Sequence, residues 1–205
     1  MAKAKPGATR PYHHGNLRAA MIDAALAAIR ETGPAAISLR ELARRVGVTH
    51  GAAAHHFGDK SGLMTAIAIE GYRLMTEELG AAAADGDFGD VGVAYVRFAT
   101  EHPAHFDVMF RPELYRVQDP ELRLARRRTA AVLYGSAEAV ADAAGGDAHR
   151  AGVAAWAYVH GIATLWRDGN LPRRLADPVA LAEDVVPYLF QSSAAAAARR
   201  SRRAR

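Results

Sequence analysis

Apolar residues recur along this chain with a helical period, and the breaks fall where glycine, proline or aspartate cluster. Leu17, Met21, Ile22, Ala25, Leu26 and Ile29 form one broad stripe, which predicts a helix from near Gly15-Asn16 to the stop at Gly33-Pro34. Ser38-Leu39-Arg40-Glu41 has the form of a capping box and predicts a second helix burying Leu39, Leu42, Ala43 and Val46. Gly47 supplies the left-handed residue that ends it. Thr49 is a natural cap for a short third helix to about His56, closed by Phe57 and Gly58. Asp59 caps a fourth, on which Leu63, Ile67, Gly71 and Leu74 share a face.

After a break at Asp85-Gly86-Asp87, a fifth helix carries Val91, Tyr95, Phe98 and Ala99 and ends near His102-Pro103. Ala104–Phe110 is a short bulky helix, Pro112 and Pro120 bracket a loop, and 121–143 is a basic helix. Gly145-Gly146 turns the chain into 148–168, the most aromatic segment, which stops at Gly169-Asn170 and Pro172. Pro178 opens a last helix to about Phe190, and Pro187 is expected to kink it or end it early. The prediction is an all-α protein of about nine helices, with no strand and no internal repeat.

Composition narrows the function. The chain has 205 residues and no cysteine, which excludes disulfides, thiolate metal sites and cysteine nucleophiles. It has no apolar run long enough to span a membrane, and its start lacks the apolar core of a signal peptide, so a cytoplasmic protein is expected. Charge is uneven. Residues 1–62 hold nine Lys/Arg against four Asp/Glu, 191–205 hold five arginines and no acid, and the body between them carries the acidic excess. A basic head on an acidic body suits nucleic-acid binding, and basic termini that only aid solubility give the same tally.

Residues 38–56 read as helix, tight glycine turn and second short helix, the layout of a helix-turn-helix. Val48, Ala52, Ala53 and Phe57 point inward on this reading, and His50, Gly51, Ala54 and His55 point outward. Small residues at Gly51 and Ala54 let the helix sit deep in a major groove, while Thr49, His50 and His55 offer hydrogen bonds. Any two packed helices would share the inward pattern, so the outward face is what distinguishes a DNA reader.

Four stretches then resemble the TetR family of bacterial regulators: Tyr12-His13-His14-Gly15-Asn16-Leu17-Arg18, Ser38-Leu39-Arg40-Glu41-Leu42-Ala43, Val46-Gly47-Val48-Thr49-His50-Gly51-Ala52 and His56-Phe57-Gly58-Asp59-Lys60-Ser61-Gly62-Leu63. The resemblance covers about 50 residues in order. It implies a homodimeric regulator that binds double-stranded operator DNA, more often as a repressor, and is released by a small-molecule effector. DNA contacts are assigned to Ser38, Arg40, Thr49, His50, Gly51, His55, His56 and Lys60, with Arg40 and Lys60 on the backbone. The family's usual phosphate-contacting tyrosine is replaced by Ala54, which removes one backbone contact.

Beyond residue 63 the resemblance is thinner. Residues 101–110 and 156–166 are similar to segments of the family branch with a Trp-His-Gly C-terminal domain. Phe98, Phe106, Met109, Phe110, Tyr134, Trp156 and His160 are candidates to line an apolar pocket with polar tips, or they form a solid core. The last two helices are expected to pair subunits through Gly161, Leu165, Val185, Tyr188 and Leu189. The expected organisation is a DNA-binding domain over 1–62, a ligand-binding and dimerisation domain over 63–191 and a basic tail over 192–205.

No nucleophile elbow, phosphate loop or zinc-protease motif occurs, so neither cofactor nor metal is assigned. His102, His105 and Asp107 are the best metal-ligating candidates, and the run Arg123 to Arg128 reads as a solvated face. A nonspecific DNA-coating protein and a helical enzyme are the alternative functions.

Overall fold

The computed structural model describes residues 14–143, 147–175 and 177–188. The expectations for the 1–12 arm, the Gly145-Gly146 turn, Leu189 and the 192–205 tail lie outside these residues.

Three helices make the head: α1 (His14–Thr32), α2 (Leu39–Val46) and α3 (His50–Phe57). The predicted α1 stripe is its buried side, from Leu17 through Ile29. Leu39, Leu42 and Ala43 of α2 and Ala53 and Phe57 of α3 complete this core, with Val46, Val48 and Ala52 half-buried against it. A 3-10 turn at Pro34–Ala36 links α1 to α2.

The turn signals act as expected, with one exception. Gly47 sits at φ 77° and returns its N–H to the carbonyls of Ala43 and Arg44. Thr49 Oγ1 accepts from the Ala52 N–H at 3.1 Å, and Asp59 Oδ1 accepts from Gly62 at 2.8 Å. The Ser38 capping box does not form: the Ser38 side chain caps nothing. Glu41 instead takes Arg44 Nη2 at 2.7 Å and Arg45 Nε at 3.2 Å. Two charged donors one turn further on outcompete a backbone amide for that carboxylate.

From the head rises α4 (Lys60–Asp85), whose 26 residues extend about 39 Å at the rise of an α-helix. Around it stand α5 (Phe88–Glu101), α6 (Pro103–Met109), α7 (Pro120–Ala143) and α8 (Ala148–Arg167). A ninth helix, α9, covers 178–188, starting on the Asp177 cap that accepts from Val179 and Ala180. Helix continues through Pro187 to the last described residue. The 112–120 loop contains a 3-10 turn at Pro112–Leu114.

α4 packs against α5, α6 and α7, and α8 closes the bundle on α5 and α7. Leu63, Met64, Ile67, Met75 and Leu79 of α4 are fully buried, each worth about 1.5–3 kcal/mol against exposure. Among the described residues the fold is all-α, as the periodicity predicts, and no helix is long and apolar enough to cross a membrane.

Candidate functional site

The outer face of the head is built by α2 and α3. Ser38, Arg40, Thr49, His50, Gly51 and His55 are all exposed there, and His56 and Lys60 are half-buried. A hollow of about 450 Å³ lies between the two helices, lined by Ser38, Arg40, Glu41, Arg44, Val48 and His50. Gly51 puts no side chain in front of α3, and Ala54 is half-buried. The arrangement is an unobstructed short helix flanked by imidazoles and guanidinium groups, which is what a major groove and its phosphates accept.

Two features of this face escape a sequence reading. Arg44 joins the hollow, yet its guanidinium is held by Glu41, whose carboxyl is drawn down to about 2 by Arg44 first and Arg45 second. Lys60, expected to face phosphate, turns back: its Nζ donates to the Ala35 carbonyl at 2.6 Å, tying α4 to the turn before α2.

The second site is a cavity of about 320 Å³ enclosed by α4, α5, α7, α8 and the 109–115 segment. Of the seven residues expected to line it, Met109, Phe110, Tyr134 and Trp156 do. Phe98, Phe106 and His160 do not; Tyr95 and Phe110 stand between the cavity and the last two. Phe106 and His160 pack on Phe110 at 4.8 and 4.6 Å between ring centroids, and Phe98 lies in solid core beside His102.

The lining also includes Tyr72, Tyr95, Tyr115, Thr129 and Arg126, none of them expected. Four of the chain's seven tyrosines thus gather at one cavity, and a hydroxyl on an otherwise apolar stripe was the signal available in the sequence.

Polar atoms of this wall pair in two groups. Tyr72 and Tyr115 both donate to the Met109 carbonyl, at 3.0 and 2.9 Å. Trp156 Nε1 donates to the Tyr95 hydroxyl at 3.2 Å, and the same hydroxyl shares a hydrogen bond with His160 Nδ1 at 2.9 Å. Burial, aided by Arg167, pushes the His160 pKa below the usual 6.5 and so favours the neutral imidazole. Burial also pushes the Tyr72 and Tyr95 phenols well above the ordinary tyrosine range.

The histidines and aspartate named as metal candidates diverge. His102 Nε2 meets Glu78 Oε1 at 3.0 Å, His105 Nε2 meets Glu70 Oε1 at 3.0 Å, and Asp107 Oδ1 lies 2.9 Å from Arg167 Nη1. Glu78, Glu101 and His102 do bring their ligand atoms within 4.8 Å of one another, at the junction of α4 with the end of α5.

One contact joins the two sites. Tyr115, in the cavity wall, is followed by Arg116, whose N–H donates to Thr65 Oγ1 at 3.0 Å and whose Nη2 reaches Asp59 Oδ1 at 3.0 Å. Asp59 is the cap of α4, at its junction with α3.

Two protein families match this chain. Residues 21–67 match the family "Bacterial regulatory proteins, tetR family", and 88–189 match "Tetracyclin repressor-like, C-terminal domain". The HTH-type transcriptional regulator BetI of Yersinia pestis (strain Pestoides F) is 29% identical over 49% of this chain and 59% of its own length. The chain thus spans about three-fifths of the curated relatives it first matches. A protein of unknown function from Rhodococcus sp. RHA1 superposes with a TM-score of 0.76 at 28% identity, covering 90% of this chain and 98% of that one. The TetR family transcriptional regulator PfmR of Thermus thermophilus gives 0.66 at 20% identity, over 83% and 97%. The helix-turn-helix head, the helical body and both family matches place this chain in the TetR family of bacterial regulatory proteins.

Proposed function

We propose that this protein is a sequence-specific transcriptional repressor that leaves a palindromic operator when a small molecule fills the cavity. The supporting observation is that one dipeptide, Tyr115-Arg116, belongs at once to the cavity wall and to the α3–α4 junction. A ligand shifts an equilibrium only if it binds one state better than the other. A guest that moves Tyr115 off the Met109 carbonyl also moves Arg116 off Asp59, and so favours a different tilt of α4 under the recognition helix. Coupling energies of about 1–3 kcal/mol are enough for a switch of about 5- to 150-fold.

One short helix reads few base pairs, so useful specificity calls for two heads on a twofold axis. The outer surfaces of α8 and α9 suit that pairing. Val153, Leu165 and Tyr188 are large apolar residues left exposed in the single chain, and among the described residues nothing outside its own helix lies within 4 Å of a Cβ built on Gly161. Val185 is half-buried beside them.

The test is selection of bound DNA from a random library with the full chain. An inverted repeat is expected, and His50→Ala should relax one symmetric pair of positions, at a cost of about 1–3 kcal/mol. Enrichment of no motif would overturn this reading. Arg116→Gln should keep affinity for the selected operator and weaken release by whatever small molecule triggers it in the wild type.

A further inference from the structure

The cavity is apolar and hydroxyl-lined over most of its wall, with a single ionised side chain: among the lining residues only Arg126 carries a charge. The polar atoms beside it are already engaged. The Tyr72 and Tyr115 hydroxyls share the Met109 carbonyl, and Thr129 Oγ1 donates to the Tyr72 carbonyl at 3.0 Å. The acids at the start of α7 are held elsewhere, Glu121 by Arg73 and Asp119 as a cap accepting from Glu121 and Leu122. The guanidinium lies beside the Tyr72 and Tyr115 phenols, where its charge, with a hydrogen bond to Tyr72, opposes the upward shift that burial gives them and leaves its other N–H groups for a guest.

A second, shallow hollow of about 380 Å³ adjoins the first. It is lined by Arg123, Arg126, Arg127 and Ala130, so Arg126 and Ala130 form the sill between the two. An aromatic-lined cavity alone would welcome a cation on its ring faces. Three arginines at its mouth repel a cation and favour an anion, and a guanidinium fork fits the paired oxygens of a carboxylate, sulfonate or phosphate.

We propose that the effector is an amphipathic anion, with an apolar or aromatic body in the cavity and an acidic head on Arg126 and its neighbours. This rests on the reading of the cavity as the effector site. Its experiment separates the two. The full chain is titrated with 8-anilino-1-naphthalenesulfonate and with N-phenyl-1-naphthylamine, which share a skeleton with and without the sulfonate. The anion should bind about tenfold tighter, the value of a good charge-assisted hydrogen bond. The preference should shrink as salt is raised.

Arg126→Gln should abolish the preference while leaving the neutral probe's affinity intact. Arg128→Gln, exposed on the same helix and outside both hollows, should retain it. Displacement by octanoate, by octyl phosphate and by 1-octanol then identifies the head. Competition by octanoate supports a carboxylate and by octyl phosphate a phosphate monoester, whereas equal competition by 1-octanol overturns the proposal. Equal affinity for the two probes, or a preference that survives Arg126→Gln, overturns the anionic head and leaves the cavity as a binding site. Binding of neither probe overturns both readings.

Discussion

Gly71 sits where α4 crosses α6, and a methyl group there has a calculable fate. A Cβ built on Gly71 would lie 2.5 Å from Met109 Sδ and 3.1 Å from His105 Cβ. Gly71→Ala gains about 0.5–1 kcal/mol of helix propensity. Overpacking a solid core costs about 1–3 kcal/mol. The side chain struck first is a thioether on rotatable bonds, and Met109 lines a cavity of about 320 Å³ into which it can swing. The overpacking cost should therefore sit at its low end, leaving a net loss of about 1 kcal/mol or less.

For a chain of this size that is a fall in Tm of at most about 4 °C. The cavity, by contrast, loses space to the displaced sulfur, so the affinity of a bound aromatic probe should drop by more than the stability does. Thermal melts and probe titrations on Gly71→Ala, Met109→Ala and the double variant test this. In the Met109→Ala background, itself less stable, Gly71→Ala should lower Tm no further, a coupling of about 0.5–3 kcal/mol. A loss of more than about 10 °C that Met109→Ala does not relieve would show that His105 or the backbone of α6 takes the strain, and the reasoning would fail.

Other expectations follow from the same geometry. Gly62→Ala would set a Cβ on the carbonyl oxygen of Phe57, a backbone atom that cannot step aside, so it should unfold the head and lose DNA binding, read by circular dichroism and gel shift. His160 is held neutral in the folded state, so the unfolded chain takes up its proton first. Stability from this group is complete above pH 6.5 and is lost as pH falls from there towards the lowered folded pKa, and His160→Gln should flatten that limb of the Tm–pH curve. Leu165 is 46% exposed, and Leu165→Asp should place an unpaired charge in the proposed subunit contact and yield monomers by light scattering with the fold intact.

How far the sequence could be read depended on the range of the interaction. Period, caps and turns are local, so the stripe of α1, the Gly47 turn and the Thr49 and Asp59 caps were legible residue by residue. The Ser38 capping box failed because Arg44 and Arg45, competitors one turn away, are invisible to a four-residue motif. The cavity was half legible: bulk marked Phe110 and Trp156, but only the crossing of helices decides that Tyr95 fronts the void while Phe106 stands behind it. Lys60, Arg116 and Arg126 were the hardest, since the partner of a long charged side chain is set by loops distant in sequence.

The Arg116–Asp59 contact also bears on how such proteins can be taken apart. The boundary expected from the sequence falls at residue 62, in the first turn of α4. A chimaera cut there would give a foreign reading head to this body and leave Arg116 facing whatever residue the newcomer carries in place of Asp59. It would assemble and bind its new operator, because an exposed ion pair contributes only about 0.2–1 kcal/mol to folding. On the proposed coupling through Arg116, it would nonetheless be deaf to the cavity. A transplant that keeps its hearing must move Gly58, Asp59 and Gly62 with the body, or redesign residue 116 to suit the guest.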